Sequence, residues 1–322
     1  MESARYHGPM PYEVKIITPE EKDRLYEYYS SINFFSIKSE VYGCCIKLLT
    51  TDRQMKEMWE DNFYTMSENV RSHGRVVMID LPGESMKVLY EPVAKTAFLF
   101  NFDYYGWVKS IALAVAGDLL EDEHHIHSVH GASMDIAGHG VTLIAPSKTG
   151  KTTHSWGLLR MKDARLVTDD WYYVRPFIGR PVAYGSEKNC YIDADIGKAW
   201  PEYRELVEKA IFDKQQRAVV NVRWIAGPGS VIPLTTLYDV ILLKRDPNDP
   251  TLVMELEPKA ALDYLRQNDF CNPHQLVRDK RKMAIRYDFF SKLLSNVRIH
   301  LVNTTSPAQE TQELIRKALS GV

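Results

Sequence analysis

The sequence predicts an α/β fold in which a mixed sheet is flanked by helices. Short apolar runs of strand length recur along the chain, and segments with apolar residues at helical spacing lie between them. Turns that contain glycine or proline separate the two kinds of segment. Trp107, Ile111, Val115 and Leu119 mark one of the helices. No internal repeat or low-complexity tract is present, so these alternating segments indicate a globular enzyme-like architecture.

The first 91 residues predict a smaller α+β unit. Residues 42–49 alternate as a strand does, and Thr51 opens a capping-box pattern for a helix that continues to about Phe63. Strands at 74–79 and 87–90 follow, separated by a turn at Pro82 and Gly83. We place a domain boundary near Glu91, with residues 92–322 as the catalytic domain. The N-terminal unit is either a regulatory or substrate-binding domain or an extension of the catalytic sheet.

The C-terminal part predicts further strands and helices. Residues 237–243 and 297–302 have the apolar character of strands, while 259–270 and 277–294 have helical periodicity. Ser306 and Pro307 predict the start of a final helix, with serine as the cap and proline in the first turn.

Composition limits the classes of function. The chain has 322 residues, of which 45% are hydrophobic and 25% charged, as in an average globular protein. Its net charge of −2 gives no electrostatic reason to expect nucleic acid as a partner. No apolar run approaches the roughly twenty residues of a membrane span, and the N-terminus does not resemble a signal peptide. Four cysteines without metal-ligand spacing predict a reducing compartment, so we expect a cytoplasmic protein.

Residues 145–152 carry the most informative motif. They match the P-loop pattern G-x-x-x-x-G-K-[ST] except at the first position, which is Ala145. An apolar strand precedes the loop and a helix follows it, as phosphate binding by backbone N–H groups requires. Lys151 is expected to contact the terminal phosphates and Thr152 to coordinate Mg²⁺. The residues expected to surround the phosphates are Ser147, Lys148, Thr149, Gly150, Lys151, Thr152 and Thr153.

The residue type at position 148, a lysine, is unusual for the backbone conformation of such a loop. If the backbone there requires a positive φ, a lysine is less favourable than glycine.

Two carboxylates end the next predicted strand, residues 164–168. Asp169 and Asp170 follow the loop after a single helix, a position from which an acid can hold the metal. We assign Asp170 to the metal and Asp169 to the acceptor hydroxyl, as a general base or orienting group. The alternative, in which both acids bind metal, stays open.

Three further positions are candidates for the same chemistry. His130 lies on a strand predicted to form a hairpin with the strand before the loop, where it serves as a metal ligand, an acid/base group or a phosphate contact. Arg223 precedes a Gly/Pro-rich turn and is suited to stabilise a transferring phosphoryl group. The segment around Glu187 is a weaker candidate for the substrate side. A zinc site built from His124, His125, His127 and His130 is not expected, because a strand divides these side chains between two faces.

The stretch His130-Gly131-Ala132-Ser133, the loop APSKTGKTT and the strand RLVTDD, in this order and spacing, resemble the HPr kinase/phosphorylase and ATP-dependent phosphoenolpyruvate carboxykinase superfamily. The close spacing of loop and aspartates distinguishes this superfamily from ordinary P-loop NTPases. The resemblance implies a carboxykinase-like mixed sheet with a P-loop. It also implies that Lys151 contacts phosphates, that Thr152 and one aspartate hold the metal, and that His130 lies in the same site.

The chain departs from HPr kinases at several positions. Residues 221–229 lack the acid that precedes the signature arginine of those enzymes, and Lys148 and Thr153 stand where they have glycine and an acid. The chain is also much shorter than a carboxykinase. The smaller free-serine kinases are therefore the more similar group in overall build.

These observations predict a Mg²⁺-dependent kinase that transfers a phosphoryl group from a nucleotide, ATP or ADP, to a hydroxyl. The acceptor is expected to be a small metabolite such as serine or another amino acid, or else a protein serine. The residues assigned to catalysis are Asp169, His130, Lys151 and Arg223. The alternatives are a nucleotide-binding regulatory protein without turnover and a carboxykinase-like lyase. Nucleic acid and membrane partners are not expected, and homo-oligomer formation is left open.

Overall fold

The computed structural model describes residues 12–176 and 179–319, and the chain forms two compact units. The first unit runs to His125 and includes the short segments Glu187–Asn189 and Pro273–Asp279. The second unit comprises Ile126–Ser186, Cys190–Asn272 and the chain from Lys280 onward. Each unit is built around its own mixed sheet, so the α/β class predicted from the sequence is confirmed. In the described ranges, no helix is both long and apolar enough to cross a lipid bilayer.

The first unit consists of strands and helices that alternate irregularly along the chain. In order, they are β1 (Glu13–Ile16), α1 (Pro19–Tyr28), β2 (Phe35–Val41), β3 (Cys44–Thr50), α2 (Arg53–Asn62), β4 (Tyr64–Thr65), β5 (Gly74–Ile79), β6 (Lys87–Glu91), β7 (Thr96–Phe100) and α3 (Tyr105–His124). The strand order is β1-β6-β7-β5-β3-β2-β4. Parallel pairs such as β5 with β7 and antiparallel pairs such as β6 with β7 make this sheet mixed.

Helix α3 packs closely on the first sheet. Most of its residues between Tyr105 and Gly117 are buried, which fits the apolar helical spacing predicted from the sequence. A side chain at Gly74 would place its Cβ only 2.7 Å from Cγ1 of Val115, so β5 requires glycine where the helix crosses it.

The predicted domain boundary near Glu91 needs correction. Glu91 ends β6, and β6 forms a hairpin with β7 in which Glu91 pairs with Thr96. All five residues of β7 are buried between β6 and β5. The first unit therefore continues through α3 to His125. The apolar character of residues 96–100 follows from their central place in this sheet.

The predicted strands at 74–79 and 87–90 are present, but the capping prediction for α2 is off by one residue. Asp52, and not Thr51, is the N-cap, because its side chain accepts hydrogen bonds from the backbone N–H groups of Gln54 and Met55. Both threonine and aspartate are good N-cap residues, so the residue types of Thr51 and Asp52 do not determine which of them is the cap.

The second unit has a larger set of elements. They are β8 (His127–Ile136), β9 (His139–Ile144), α4 (Lys151–Leu158), β10 (Ala164–Thr168), β11 (Trp171–Arg175), β12 (Val182–Gly185), β13 (Cys190–Asp193), α5 (Ile196–Ala199), α6 (Arg204–Lys209), β14 (Arg217–Val220), α7 (Arg223–Ala226), β15 (Leu234–Lys244), β16 (Val253–Glu255), α8 (Pro258–Gln267), α9 (Lys280–Leu294), β17 (Arg298–Asn303) and α10 (Ala308–Ala318). Strands β8 and β9 form the predicted hairpin, and β9, β15 and β17 are parallel neighbours at its side.

The sheet of the second unit is covered on both faces. Alternate residues of β15 enter two different apolar clusters: Ile241 and Leu243 pack with Trp156 of α4, while Val240 and Leu242 pack with Phe290 of α9. This alternation is the two-residue period of a strand whose faces are both buried. Helices α4 and α10 contribute to one cluster, and α8 and α9 to the other.

The start of the last helix also differs from its prediction. Helix α10 begins at Ala308, its N-cap is Pro307, and no side chain caps its first turn. Ser306 is thus not the cap, because the helix starts one residue later than the serine requires. The backbone oxygen of Ser306 instead accepts a hydrogen bond from the hydroxyl of Thr311.

Candidate functional site

The loop between β9 and α4, residues 145–150, joins a buried strand to a helix in the order that the motif predicts. Gly150 is the N-cap residue of α4 and has a φ of 93°, which favours glycine. Lys148 has a φ of 67°, so a lysine does occupy the left-handed region, at a cost of roughly 1–2 kcal/mol. Ala145 has no positive φ and is 1% exposed, so an alanine fits the first position of the motif.

Hydrogen bonds fix the shape of this loop. The hydroxyl of Thr149 donates to the backbone oxygen of Pro146 at 2.8 Å, and the hydroxyl of Thr304 donates to the backbone oxygen of Thr149 at 2.9 Å. The first N–H groups of any helix have no acceptor within the helix, and Gly150 has no side chain to cap them. The start of α4 therefore presents the partial positive charge that attracts an anion.

Lys151, the first residue of α4, contacts one of the two predicted aspartates. Its Nζ lies 2.5 Å from Oδ1 of Asp170 and 3.3 Å from the Asp170 backbone oxygen. Asp170 lies between β10 and β11, which both pair with β8, and its backbone oxygen accepts a hydrogen bond from the N–H of Gly131 at 2.8 Å. The sheet thus holds the backbone of Asp170 in place beside the lysine.

His130 completes this group of charged side chains. Its Nε2 lies 3.1 Å from the same Oδ1 of Asp170. We call Lys151, Asp170 and His130 the open cluster, because their side chains keep 12%, 26% and 14% of their surface exposed. The predicted phosphate-binding lysine, one of the predicted acids and the predicted histidine are therefore in contact.

The protonation of His130 follows from its two contacts. Its Nδ1 lies 2.6 Å from the backbone oxygen of Cys271, and a carbonyl oxygen only accepts, so Nδ1 carries the proton. Burial lowers the pKa of His130 and the charge of Lys151 lowers it further, while the hydrogen bond and the charge of Asp170 raise it. With Nδ1 bound to the carbonyl of Cys271, Nε2 is the ring nitrogen that faces the carboxylate of Asp170.

The remaining residues of the predicted phosphate site lie on the loop and in the first turn of α4. Thr152 and Thr153 are in the first turn of α4 and are partly exposed, while Ser147 and Lys148 are exposed on the loop. Asp169, which we assigned to the acceptor, is only 3% exposed. The carboxylate that contacts Lys151 and His130 is that of Asp170.

The structure does not join Arg223 to the open cluster. Arg223 begins the short helix α7, where its backbone N–H donates to Oδ1 of Asn221 at 3.1 Å. Within the described parts of the chain, no hydrogen bond or ion pair links its guanidinium to another group. The neighbouring Trp224 is 75% exposed. The role predicted for Arg223 in phosphoryl transfer thus has no contact that supports it.

The weaker substrate-side candidate, Glu187, belongs to a buried group in the first unit. Nζ of Lys109 lies 3.0 Å from its Oε1, and Nδ2 of Asn62 donates to the same oxygen at 2.8 Å. The side chains of Lys109 and Glu187 are each 2% exposed. We call these three residues the closed cluster. Its burial and its contacts with Lys109 and Asn62 indicate that Glu187 stabilises the first unit.

Two histidines of the run, His127 and His130, make different contacts. His127 stacks on Phe289 with ring centroids 4.4 Å apart, whereas His130 contacts Asp170. Among the residues that the structure describes, the grouped metal-ligand types are Asp118, Glu121 and Asp122, and Lys95 forms ion pairs with both aspartates.

The backbone of Cys271 is the contact that sequence reasoning missed. It reaches His130 from 141 positions along the chain, and a carbonyl oxygen leaves no mark on residue type. No motif could have indicated it.

Comparisons with known proteins give little further information. No family model matches the chain, and no curated protein matches it. Among solved structures, it is similar to the Hpr(Ser) kinase/phosphatase from Coxiella burnetii at 13% sequence identity, with 61% of this chain and 89% of that chain covered and a TM-score of 0.35. The low TM-score leaves the function of this chain to be argued from its own residues.

Proposed function

We propose that this chain is a Mg²⁺-dependent phosphotransferase that moves a phosphoryl group from a nucleotide to a hydroxyl. The observation that carries the proposal is the contact of 2.5 Å between Lys151 and Asp170 at the first residue of a helix that follows a strand and a glycine-containing loop. Phosphoryl transfer is catalysed mainly by positioning and by neutralising charge on the phosphates. A lysine, open helix N–H groups and a carboxylate are the groups that this task needs.

The residues fit a magnesium ion by the chemistry of their ligand atoms. Mg²⁺ prefers oxygen ligands, and Asp170 supplies a carboxylate close to the hydroxyl-bearing first turn of α4, where Thr152 is partly exposed. When bound, the ion neutralises charge on the phosphate oxygens. Asp170 and Thr152 would hold it from the side of the protein.

The ion pair between Lys151 and Asp170 suits an exchange of partners. A bound phosphate attracts the lysine, and a bound cation attracts the carboxylate, so both charges keep an opposite partner when the pair opens. Because both side chains keep some solvent contact, the exchange avoids leaving a buried charge without a partner.

The acceptor side of the proposal rests on His130 and Asp169. The ring of His130, with Nε2 beside the carboxylate of Asp170, is suited to transfer a proton in this site. Asp169 precedes Asp170 in the chain and is suited to orient the acceptor hydroxyl. A small metabolite such as serine, or a protein serine, is the proposed acceptor.

The direct test is a product assay. The purified chain is incubated with ATP or ADP, Mg²⁺ and a panel of amino acids and other hydroxyl metabolites, and phosphorylated product is measured by mass spectrometry. Lys151→Met must abolish the product. Lys162→Met, at an exposed lysine nearby in the sequence, must retain it and serves as the matched control.

The same assay separates the alternatives. Nucleotide binding without any product across the panel would support a regulatory protein and contradict the phosphotransferase. Release of carbon dioxide from oxaloacetate in the presence of ATP would support a lyase. Product that persists in Lys151→Met would remove the reaction from this site.

A further inference from the structure

A short segment after α8 has a backbone that L-amino acids rarely adopt. Asp269, Phe270 and Cys271 have consecutive φ values of 50°, 50° and 55°, and Phe270 has a ψ of 25°. The N–H of Cys271 donates to the backbone oxygen of Asn268 at 2.8 Å, and the N–H of Asn272 donates to that of Asp269 at 3.1 Å. These three residues form one left-handed turn without a glycine.

Packing holds this turn in place. Phe270 and Cys271 are each 3% exposed and belong to the same apolar cluster as α8 and α9. The ring of Phe270 stacks on Phe290 of α9 with centroids 5.2 Å apart. Three adjacent left-handed residues persist only where the surroundings determine their conformation, and such strain is concentrated at functional sites.

The turn provides a hydrogen-bond acceptor for His130 of the open cluster. It directs the backbone oxygen of Cys271 to Nδ1 of His130, at 2.6 Å. A right-handed continuation of α8 would keep the carbonyl groups parallel to the helix axis, as in any α-helix. The reversal of hand thus changes the direction in which the carbonyl of Cys271 points.

We propose that the left-handed turn Asp269–Cys271 is a positioning element for His130, which fixes the proton on Nδ1 and holds Nε2 toward Oδ1 of Asp170. The use of Nε2 in phosphoryl transfer rests on the proposed function. The position of the proton does not, because it follows from the contact with Cys271 alone.

The first test reads the tautomer directly. Protein labelled with ¹⁵N-histidine is studied by NMR at pH 8, and the His130 signals are assigned by their loss in His130→Gln. Protonated and unprotonated ring nitrogens have well-separated ¹⁵N shifts. A protonated Nδ1 supports the proposal, whether or not Nε2 is also protonated, whereas an unprotonated Nδ1 overturns it.

The second test changes the turn at its exposed position, Asp269. Asp269→Asn and Asp269→Gly remove the charge but tolerate a positive φ, whereas a β-branched Asp269→Val strongly disfavours it. We expect the asparagine and glycine variants to keep the wild-type His130 spectrum. The valine variant should lower the population with a protonated Nδ1 about tenfold relative to asparagine.

Identical His130 spectra in the valine and asparagine variants would show that the turn does not position the ring. If Asp269→Val does not fold, Asp269→Ala provides a milder bias in the same direction, and the wild-type tautomer remains decisive by itself. A protonated Nδ1 in a protein without phosphotransfer activity would leave the positioning intact and reject the proposed function. Activity in a protein with an unprotonated Nδ1 would do the reverse.

Discussion

The open and closed clusters pair the same kinds of groups and differ in their access to solvent. Each joins a lysine to a carboxylate, with a third polar side chain on the same oxygen. The lysine and the acid of the closed cluster are both 2% exposed, whereas those of the open cluster are 12% and 26% exposed.

This difference separates a structural ion pair from one that can change partners. Removing one member of a fully buried pair leaves a charge without water or a counter-ion, which is strongly unfavourable. A partly exposed pair can open at small cost, because water or a ligand takes the place of the lost partner. The two clusters contain the same types of residue, so residue type does not distinguish them. Their different burial does.

The largest effect on stability is expected in the closed cluster. Lys109→Met leaves Glu187 buried without its counter-ion and should lower the free energy of unfolding by about 3–5 kcal/mol. Urea unfolding followed by circular dichroism measures the change. The double variant Lys109→Met with Glu187→Leu removes both charges and should recover most of the loss. If Lys109→Met is as stable as the wild type, the buried ion pair of the closed cluster does not contribute to stability as expected.

Replacing the lysine of the open cluster should lower activity and leave stability almost unchanged. Lys151→Met is expected to lower the free energy of unfolding by less than about 1 kcal/mol, because Asp170 keeps contact with solvent. The rate of phosphotransfer should fall about 10³-fold, roughly 4 kcal/mol, since a positioned charge on the phosphates is lost. Steady-state rates and urea unfolding are measured on the same samples. A large loss of stability with unchanged rates would show that the ion pair of the open cluster is structural and not catalytic.

Removal of the acid in the open cluster should release its lysine. Asp170→Asn takes away the carboxylate that competes for Lys151, so pyrophosphate should bind about tenfold more tightly in the presence of a chelator, which is roughly 1.4 kcal/mol. Calorimetric titration measures this affinity. The enhancement by Mg²⁺ should be lost in the same variant. Pyrophosphate binding that is unchanged or weaker would show that Lys151 does not face the anion.

Acid pH should destabilise the open cluster through its histidine. Burial, and then the charge of Lys151, hold the pKa of His130 in the folded chain below its ordinary value near 6.5. The unfolded chain therefore binds the proton more readily, and stability is lost as pH falls below about 6.5 toward the folded pKa. The slope from this group is at most about 1.4 kcal/mol per pH unit.

Urea unfolding between pH 5 and 8, with a chelator present, tests this dependence in wild type and His130→Gln. The glutamine variant should lose part of the slope. His154 also has a lowered pKa through burial, so His154→Gln is the control that gives the contribution of a histidine outside the cluster. Equal slopes in wild type and His130→Gln would contradict the expected protonation of the cluster.

The local parts of the site could be predicted from the sequence, because their geometry depends on neighbouring residues. The strand, loop and helix around Lys151 follow from apolar runs and a glycine, and the left-handed φ at Lys148 was anticipated from the same motif. The sequence also predicts Asp170 and His130 beside the loop, since His130 lies on the strand that pairs with the one before the loop and Asp170 follows the next strand along the chain.

Contacts over long distances in sequence could not be predicted. Glu187 meets Lys109 across 78 positions and Asn62 across 125, and nothing in its own segment indicates that it is buried. The boundary predicted near Glu91 was misplaced for a similar reason, because strand periodicity does not tell which sheet β7 joins. The prediction for Arg223 relied on an adjacent turn, and in the described chain no hydrogen bond or ion pair involves its guanidinium.

The parallel neighbours of β9 have a consequence for the synthesis of the chain. Strand β9 is flanked by β8 on one side and by β15 on the other, and β15 in turn needs β17. Ribosomes add roughly 5–20 residues per second, and a strand cannot pair with one that has not yet emerged. Strand β9 therefore remains paired on one side only until β15, which ends at Lys244, has left the exit tunnel. During this interval its unpaired edge is open to pairing with other strands.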